Sequence, residues 1–171
     1  MLCSSVYNEF GRHAYGRFAD SEGRVADVTW HDRARSTLQR AREEQTSLLQ
    51  AFTAGHTRSK LISQGQRVAE YSLRAILYAR GIRVPKTHEL HETAHKWRDV
   101  LGDIWAQLEP LLQHYRWLYP QRQVVDYQHA DAPPSQGYAG VDDPPVPEES
   151  VARALEAANR FCELAERAVE G

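Results

Sequence analysis

Residues 68–90 constrain the possible folds of this chain more than any other segment. Up to residue 80, apolar residues recur at three- and four-residue spacing, which is the period of one helix face. Gly81 can then end the helix, since glycine readily adopts the left-handed conformation of a C-terminal cap. Pro85 keeps the residue before it out of the helical region, and Thr87 can cap a new helix. The segment predicts two helices joined by a rigid elbow.

Apolar stripes with the same helical period occur from residue 29 onward. A first helix is expected to begin at Thr29, which forms a capping-box pattern with Asp32, and to end at Gly55. A last helix is expected to begin at about Pro147, because proline suits a first helical turn. The apolar positions of these two helices are Ala34, Leu38, Ala41, Leu48, Leu49 and Phe52, and Val151, Leu155, Ala158, Cys162, Ala165 and Val169. The second of these stripes faces either the core or a partner.

Glycine and proline interrupt the stripes between these two helices. Gly65 lies on the apolar face of the second helix, where it costs about 1 kcal/mol against alanine unless another helix approaches closely. Proline inside a helix costs about 3 kcal/mol or more. We therefore expect a break or bend near residues 107–110, or a helix start at Glu109, and an end of the segment at Pro120. The helix after Thr87 is expected to place four residues on one face: Leu90, Ala94, Trp97 and Leu101.

These patterns predict an all-α protein with no strands. Residues 29–171 form the helical domain. Residues 1–28 have no clear period and are expected to form an irregular arm. Residues 121–147 are rich in Pro, Asp, Gln and Gly, and are expected to form a long loop before the last helix.

Composition narrows the class of protein. The formal net charge is −2, with 21 basic and 23 acidic residues. This balance excludes the global basic excess of a non-specific nucleic-acid binder, so an anion would need a local patch. Cys3 and Cys162 lie far apart and indicate reduced thiols, not a disulfide framework. No apolar run reaches the roughly 18–20 residues of a membrane span, and no signal peptide is evident, so we expect a cytoplasmic protein.

The elbow resembles that of the HEPN domain family. The resemblance is carried by the Ala69-Glu70 start, the core run from Leu73 to Leu77, and the elbow sequence Pro85-Lys86-Thr87-His88-Glu89-Leu90. It covers residues 29–170, and the order of the weaker matches, such as Tyr119-Pro120, agrees with it. The resemblance implies an up-and-down bundle of four to five helices that forms homodimers. It also implies nucleotidyltransferase partners, nucleotide binding or RNA cleavage.

Ribonuclease members of this family carry an Arg and a His, with four to six residues between them, near the end of the long third helix. His supplies an acid or base near neutral pH, and Arg supplies a fixed cation for a phosphate. Arg122 and His129 have this spacing, and the resemblance makes them the catalytic candidates. However, Leu118 stands where a common subgroup has an Arg, and both candidates fall in the expected loop. The sequence therefore favours binding over catalysis.

A basic cluster along the end of the second helix and the elbow is the best local site for an anion. Arg83 and His88 also have the Arg–His spacing, but a hydrogen bond from His88 to a backbone carbonyl is the preferred interpretation. Cations near a helix C-terminus are also favoured by the helix dipole alone. The candidate ligand-binding residues are Arg74, Arg80, Arg83, Lys86 and His88.

Three other features have an ordinary structural interpretation beside a functional one. Glu70 and Arg74 are four residues apart, as in a helix ion pair worth a few tenths of a kcal/mol. Tyr71 is one of several aromatic residues that could stack on a base, although aromatics at helical spacing more often belong to a core or interface. His91 and His95 have a spacing that can bind zinc, but no third ligand is evident. We therefore predict no metal site and no cofactor.

We interpret the chain as a nucleotide- or nucleic-acid-binding subunit of the nucleotidyltransferase-associated HEPN type. The expected partners are a second copy of the chain and a small nucleotidyltransferase, in a toxin–antitoxin or defence pair. One alternative is a metal-independent ribonuclease toxin, and another is a purely structural interaction module.

Overall fold

The computed structural model describes residues 16–19, 25–86, 89–128 and 147–171. Two short strands precede six α-helices, and a single 3-10 turn, Gly102–Ile104, lies between the fourth and fifth helices. The elements are β1 (Gly16–Ala19), β2 (Val25–Val28), α1 (Trp30–Thr53), α2 (Arg58–Ala79), α3 (Leu90–Lys96), α4 (Arg98–Leu101), α5 (Trp105–Gln128) and α6 (Glu148–Glu170).

Four long helices form an up-and-down bundle around α2, which packs against α1, α5 and α6. A short turn joins α1 to α2. Arg42 of α1 pairs with Glu166 of α6 at 2.8 Å. Gln45, about one turn later in α1, donates a hydrogen bond to Asn159, which lies about two turns earlier in α6. These contacts show that α1 and α6 are antiparallel. The predicted all-α bundle is confirmed.

The helix ends follow the expected local chemistry. The Thr29 side chain accepts a hydrogen bond from the Asp32 amide at 3.1 Å, and the Thr29 amide donates to the Asp32 carboxylate at 3.2 Å. The predicted capping box is therefore confirmed. The Thr29 hydroxyl also donates to the Asp32 carboxylate at 2.6 Å, and this bond, together with the one from the Thr29 amide, holds the pKa of Asp32 below its ordinary value. Gly81 has a φ of +69°, and the Ile82 amide after it donates to the Leu77 carbonyl, as in a Schellman cap.

Gly65 is a point of close approach between α2 and α6. A Cβ atom placed on Gly65 would lie 3.2 Å from the Ala154 carbonyl oxygen and 3.3 Å from its Cβ. No larger side chain fits there without movement of the backbone. The close helix approach that the sequence predicted at this glycine is confirmed.

The apolar stripe of α6 is used inside the bundle. Its residues pack against α2, α1 and α5, and Phe161 contacts the fully buried Tyr115 of α5 edge to face, with ring centroids 6.2 Å apart. Cys162 is a free, buried thiol, and burial raises its pKa to about 11. Of the two roles open for this stripe, the core-facing one is correct.

The N-terminal segment contains two strands, so the expectation of no strands was wrong. β1 and β2 pair antiparallel in a register that sets Gly16 opposite Val28 and Ala19 opposite Val25. Strands of four residues are too short for an apolar alternation to stand out in the sequence.

The fifth helix continues through both of its prolines. α5 runs from Trp105 to Gln128 with Pro110 and Pro120 inside it, so the helix neither breaks at Pro110 nor starts at Glu109, and the expected end at Pro120 was wrong. Both prolines are exposed, and so are Ala106 and Arg116, whose carbonyls lose a helical partner. Water can bond these carbonyls, which lowers the cost of each proline. The predicted loop after α5 therefore begins at least eight residues later than residue 121.

The helix after the elbow also begins later than expected. α3 starts at Leu90 with Glu89 at its N-cap position, whereas Thr87, the predicted cap, lies outside the described residues. Leu90, Ala94 and Leu101 are buried as expected, but Trp97 is 39% exposed. Trp97 ends α3 with a φ of −108°, which shifts the helical phase and turns its side chain away from the core.

Replacing Gly65 with leucine should lower the free energy of unfolding by about 1–3 kcal/mol, because α2 and α6 would have to separate. Urea unfolding followed by circular dichroism measures this loss. Arg67→Leu in the same helix is the matched control, since Arg67 is exposed and makes only a 3.8 Å ion pair with Glu44. Equal losses in both variants would contradict the close packing at Gly65.

Candidate ligand-binding groove

A groove of about 600 Å³ lies between α1 and α2. Its walls combine three arginines, two tyrosines, two hydroxyls and one carboxylate. The lining residues are Arg33, Ser36, Thr37, Arg40, Glu70, Tyr71, Arg74 and Tyr78. Three of its eight lining residues are arginines, so the lining is basic.

Helical periodicity explains why these side chains meet. The α1 residues follow one another at spacings of three and four, from Arg33 to Arg40, and so do the α2 residues from Glu70 to Tyr78. Because α1 and α2 are joined by a short turn, they run antiparallel and their two polar rows face the same furrow. The apolar faces of both helices point into the core instead.

Arg74 is held in place by a buried carboxylate. Its Nε and Nη2 atoms lie 3.2 and 3.0 Å from Oε1 of Glu70, and Gln66 donates to Oε2 of the same group at 3.3 Å. Glu70 is only 7% exposed. The ion pair expected from the sequence is present, but its burial makes it a far stronger structural constraint than a surface pair.

An aromatic cluster closes one end of the groove. The Trp30 and Tyr78 rings stack with centroids 5.8 Å apart, and the guanidinium carbon of Arg33 lies 5.3 Å from the Trp30 ring centroid. A cation over an aromatic face is attracted to it and is held in a defined position. Arg33 therefore presents a fixed positive charge at this end.

The opposite end of the groove is acidic. A second depression of about 390 Å³ shares Arg40 and Tyr71 with the groove and is also lined by Glu43, Glu44 and Ser47. Gln39 donates to Glu43 at 3.1 Å. The furrow thus changes along α1 from basic to acidic within about three helical turns.

The predicted ligand-binding residues do not gather at one place. Arg74 lines the groove beside α1, whereas Arg80 pairs with Asp103, next to α5, at 3.0 Å. Arg83 and Lys86 are exposed on the elbow, and His88 lies outside the described residues. Arg74 and Arg80 therefore have different partners.

The predicted catalytic pair lies at the end of the bundle's third long helix. Arg122 belongs to α5, not to a loop as the sequence suggested, because that helix continues to Gln128. His129 is the next residue and lies outside the described residues. The expected loop position, which counted against a catalytic role, therefore does not hold for Arg122.

The histidines on and near α3 show no metal cluster. The described ranges contain no group of three or more side chains placed to hold a metal ion. Burial lowers the pKa of His91, and Arg116 lowers it further, while the His95 ring packs against Trp105 with centroids 5.1 Å apart. Burial and the neighbouring Arg153 likewise lower the pKa of His114.

The sequence interpretation missed the α1 side of the groove. Its residues Arg33, Ser36, Thr37 and Arg40 were not among the candidate ligand-binding residues. A signal was present, because basic and hydroxyl residues recur at helical spacing on α1. That pattern indicates a groove only when the α2 residues that face it are also known.

Residues 29–168 match the HEPN domain family. Since this match spans most of the 171 residues, the chain belongs to that family. We found no matching curated protein and no matching solved structure. The family inferred from the elbow is confirmed, and membership indicates a function related to nucleic acids. Nowhere in the described ranges does a helix combine the length and apolar character of a membrane span.

Replacing Arg74 with methionine should lower the free energy of unfolding by roughly 3 kcal/mol, because the buried Glu70 carboxylate would lose its cation. Adding Glu70→Gln to this variant should recover most of the loss. Urea unfolding of the two single variants and the double variant measures the coupling between them.

Arg160→Met is the control for Arg74→Met. Arg160 forms the same four-residue spacing with Glu156, but at 3.7 Å and on the surface, so its loss should cost under about 1 kcal/mol. If the two arginine variants lose equal stability, the Glu70–Arg74 pair does not constrain the fold as argued.

Proposed function

We propose that this HEPN protein is a nucleotide- or nucleic-acid-binding subunit that acts with a small nucleotidyltransferase in a toxin–antitoxin or defence pair. The observation that carries the proposal is the α1–α2 groove. Arg33, Arg40 and Arg74 line it, and only Glu70 among the lining side chains is acidic.

The groove's chemistry suits a nucleotide. Guanidinium groups bind phosphate through paired N–H donors, and the hydroxyls of Ser36 and Thr37 can donate to its oxygens. Tyr71 and Tyr78 offer aromatic surface, on which bases of any sequence stack. The formal charge of the groove lining is positive although the whole chain carries −2, so an anion is attracted locally.

We further propose that the protein is a homodimer. The α6 stripe lends no support, because it is buried inside the bundle, but Leu49 and Phe52 on α1 are 47% and 51% exposed. Leu49 also lines a depression of about 460 Å³. Light scattering that gives the mass of a monomer at tens of micromolar would contradict the dimer.

The nucleotidyltransferase partner is proposed from the family resemblance. Co-expression with a nucleotidyltransferase encoded by the neighbouring gene, followed by affinity purification, tests it. A nucleotidyltransferase that fails to co-purify at micromolar concentrations would contradict this part of the proposal.

Arg40→Gln should weaken the binding of nucleotides and short RNA by roughly tenfold, since a charge-assisted hydrogen bond contributes about 1.5–3 kcal/mol. Isothermal titration calorimetry with the four nucleoside monophosphates and a mixed-sequence RNA 12-mer measures the effect.

Arg35→Gln is the matched control for this experiment. Arg35 is exposed on α1 but does not line the groove. Its substitution by glutamine removes the same positive charge as Arg40→Gln does. Equal weakening in both variants would mean that overall charge, and not the groove, attracts the ligand. No binding of any probe by the wild-type protein would refute the proposed function.

The ribonuclease remains a second candidate function, favoured by the position of Arg122 within α5. An arginine near the end of the third long helix is what the resemblance implies for a ribonuclease. With a histidine as acid or base, attack of the RNA 2′-hydroxyl on the adjacent phosphate needs no metal ion.

If the protein cleaves RNA, Arg122→Ala and His129→Ala should each abolish cleavage of mixed cellular RNA without unfolding the protein, and EDTA should have no effect. Gel analysis of the digested RNA measures activity, and circular dichroism checks the fold. Cleavage that survives both substitutions would rule out this pair as the catalytic site.

A further inference from the structure

We infer that His114, Arg153 and Trp117 form a pH-sensitive clasp that holds the start of α6 against α5 and loosens when His114 is protonated. These three residues do not line the α1–α2 groove, so the inference does not depend on the ligand proposed for that groove. Its basis is the position of one guanidinium group between an imidazole ring and an indole ring.

Arg153 of α6 makes two contacts with α5. Its Nε atom donates to Nδ1 of His114 at 3.4 Å, and its guanidinium carbon lies 4.5 Å from the ring centroid of Trp117. His114 and Trp117 are three residues apart, so they lie on the same face of α5. Both rings are half-buried, whereas Arg153 is exposed. The two contacts together tie the exposed arginine to the side of α5.

The bond between Arg153 and His114 requires a neutral imidazole ring. Arginine has donors and no acceptor, so Nδ1 of His114 can accept from it only while that nitrogen carries no proton. Protonation removes the acceptor and sets a second positive charge beside the guanidinium group, where like charges repel. Arg153 can move away only by giving up its attraction to the Trp117 ring. Protonation therefore replaces an attraction between α5 and α6 with a repulsion.

The charges around His114 favour its neutral form. Burial lowers the pKa of His114 below its ordinary value of 6.5, and Arg153 and Arg160 lower it further. Glu156 raises it, but this carboxylate also pairs with Arg160 at 3.7 Å. Within the described residues these charges all come from α6, and neither α2 nor α3 adds one.

The sign of the pH dependence follows from this direction. Because the pKa of His114 is lower in the folded protein than in the unfolded chain, the unfolded chain binds the proton more readily. The clasp therefore stabilises the fold fully above about pH 6.5. Its contribution is lost as the pH falls below that value.

The effect is confined to the start of α6. Arg153 precedes Ala154, whose carbonyl oxygen packs against Gly65 of α2. Nearer the other end of α6, Arg167 donates to the Gln107 side chain of α5 at 3.1 Å, and an amide does not titrate in this pH range. Acidification should therefore free the first turns of α6 while its last turns stay attached to α5.

The first test compares urea unfolding of the wild-type protein and His114→Asn at pH 8 and pH 5. The asparagine amide oxygen can replace Nδ1 as an acceptor but cannot gain a proton there. The unfolding constant of the wild type, divided by that of the variant, should rise at least about threefold on acidification, as for a partly exposed charge pair. His31→Asn is the control, since His31 is exposed at the start of α1, and its ratio should stay constant.

The same comparison in an Arg153→Met background separates the clasp from simple burial of His114. Without the guanidinium group, the change in the ratio between pH 8 and pH 5 should be at least about twofold smaller. A change of the original size would mean that burial alone causes the pH dependence, and would overturn the clasp. A ratio that does not change with pH in the wild-type background would overturn it as well.

Hydrogen–deuterium exchange of the wild-type protein tests the location of the effect without any substitution. Exchange of residues 148–156 is measured relative to residues 162–170 in the same sample, which cancels the effect of pH on the chemical rate. This relative exchange should be faster at pH 5 than at pH 8. Equal relative exchange at both pH values would show that the start of α6 is not released, and would overturn the inference.

Discussion

The burial of α2 on three sides is the constraint on which the rest of the structure depends. α1, α5 and α6 all pack against it, and the contact at Gly65 leaves no room for a side chain larger than hydrogen. A helix enclosed in this way must satisfy its polar groups within the protein. Glu70 does so by binding Arg74 and Gln66. The same bonds fix a cation at the edge of the core, where the groove begins.

Stability and binding are therefore coupled in this molecule. Arg74 stabilises a buried carboxylate on one side and contributes positive charge to the groove on the other. Arg33 and Arg40 lie on α1 and can vary without affecting the core. Substitutions of groove residues on α1 are thus expected to change ligand affinity without changing stability. Substitutions of groove residues on α2 also alter the packing of the bundle.

Much of the bundle was predictable because helical period and cap chemistry are local. The capping box at Thr29, the stops at Gly55 and Gly81 and the close approach at Gly65 all follow from short stretches of sequence. The errors occurred where a local rule was overridden. Pro120 does not end α5, since its missing hydrogen bond falls on the solvent side. The strands at residues 16–19 and 25–28 are too short to produce a visible pattern.

The sequence by itself determined the helical class, the family, and the position of the elbow and of most helix ends, since each depends on residues close together in the chain. It also placed Glu70 and Arg74 one turn apart, which was enough to predict that they pair. Only the tertiary structure decided that this pair is buried, that Arg80 turns away to bind Asp103, and that Arg33 and Arg40 face Arg74. Those facts depend on which helix faces pack together, and residues more than 20 positions apart carry no local signal of their meeting.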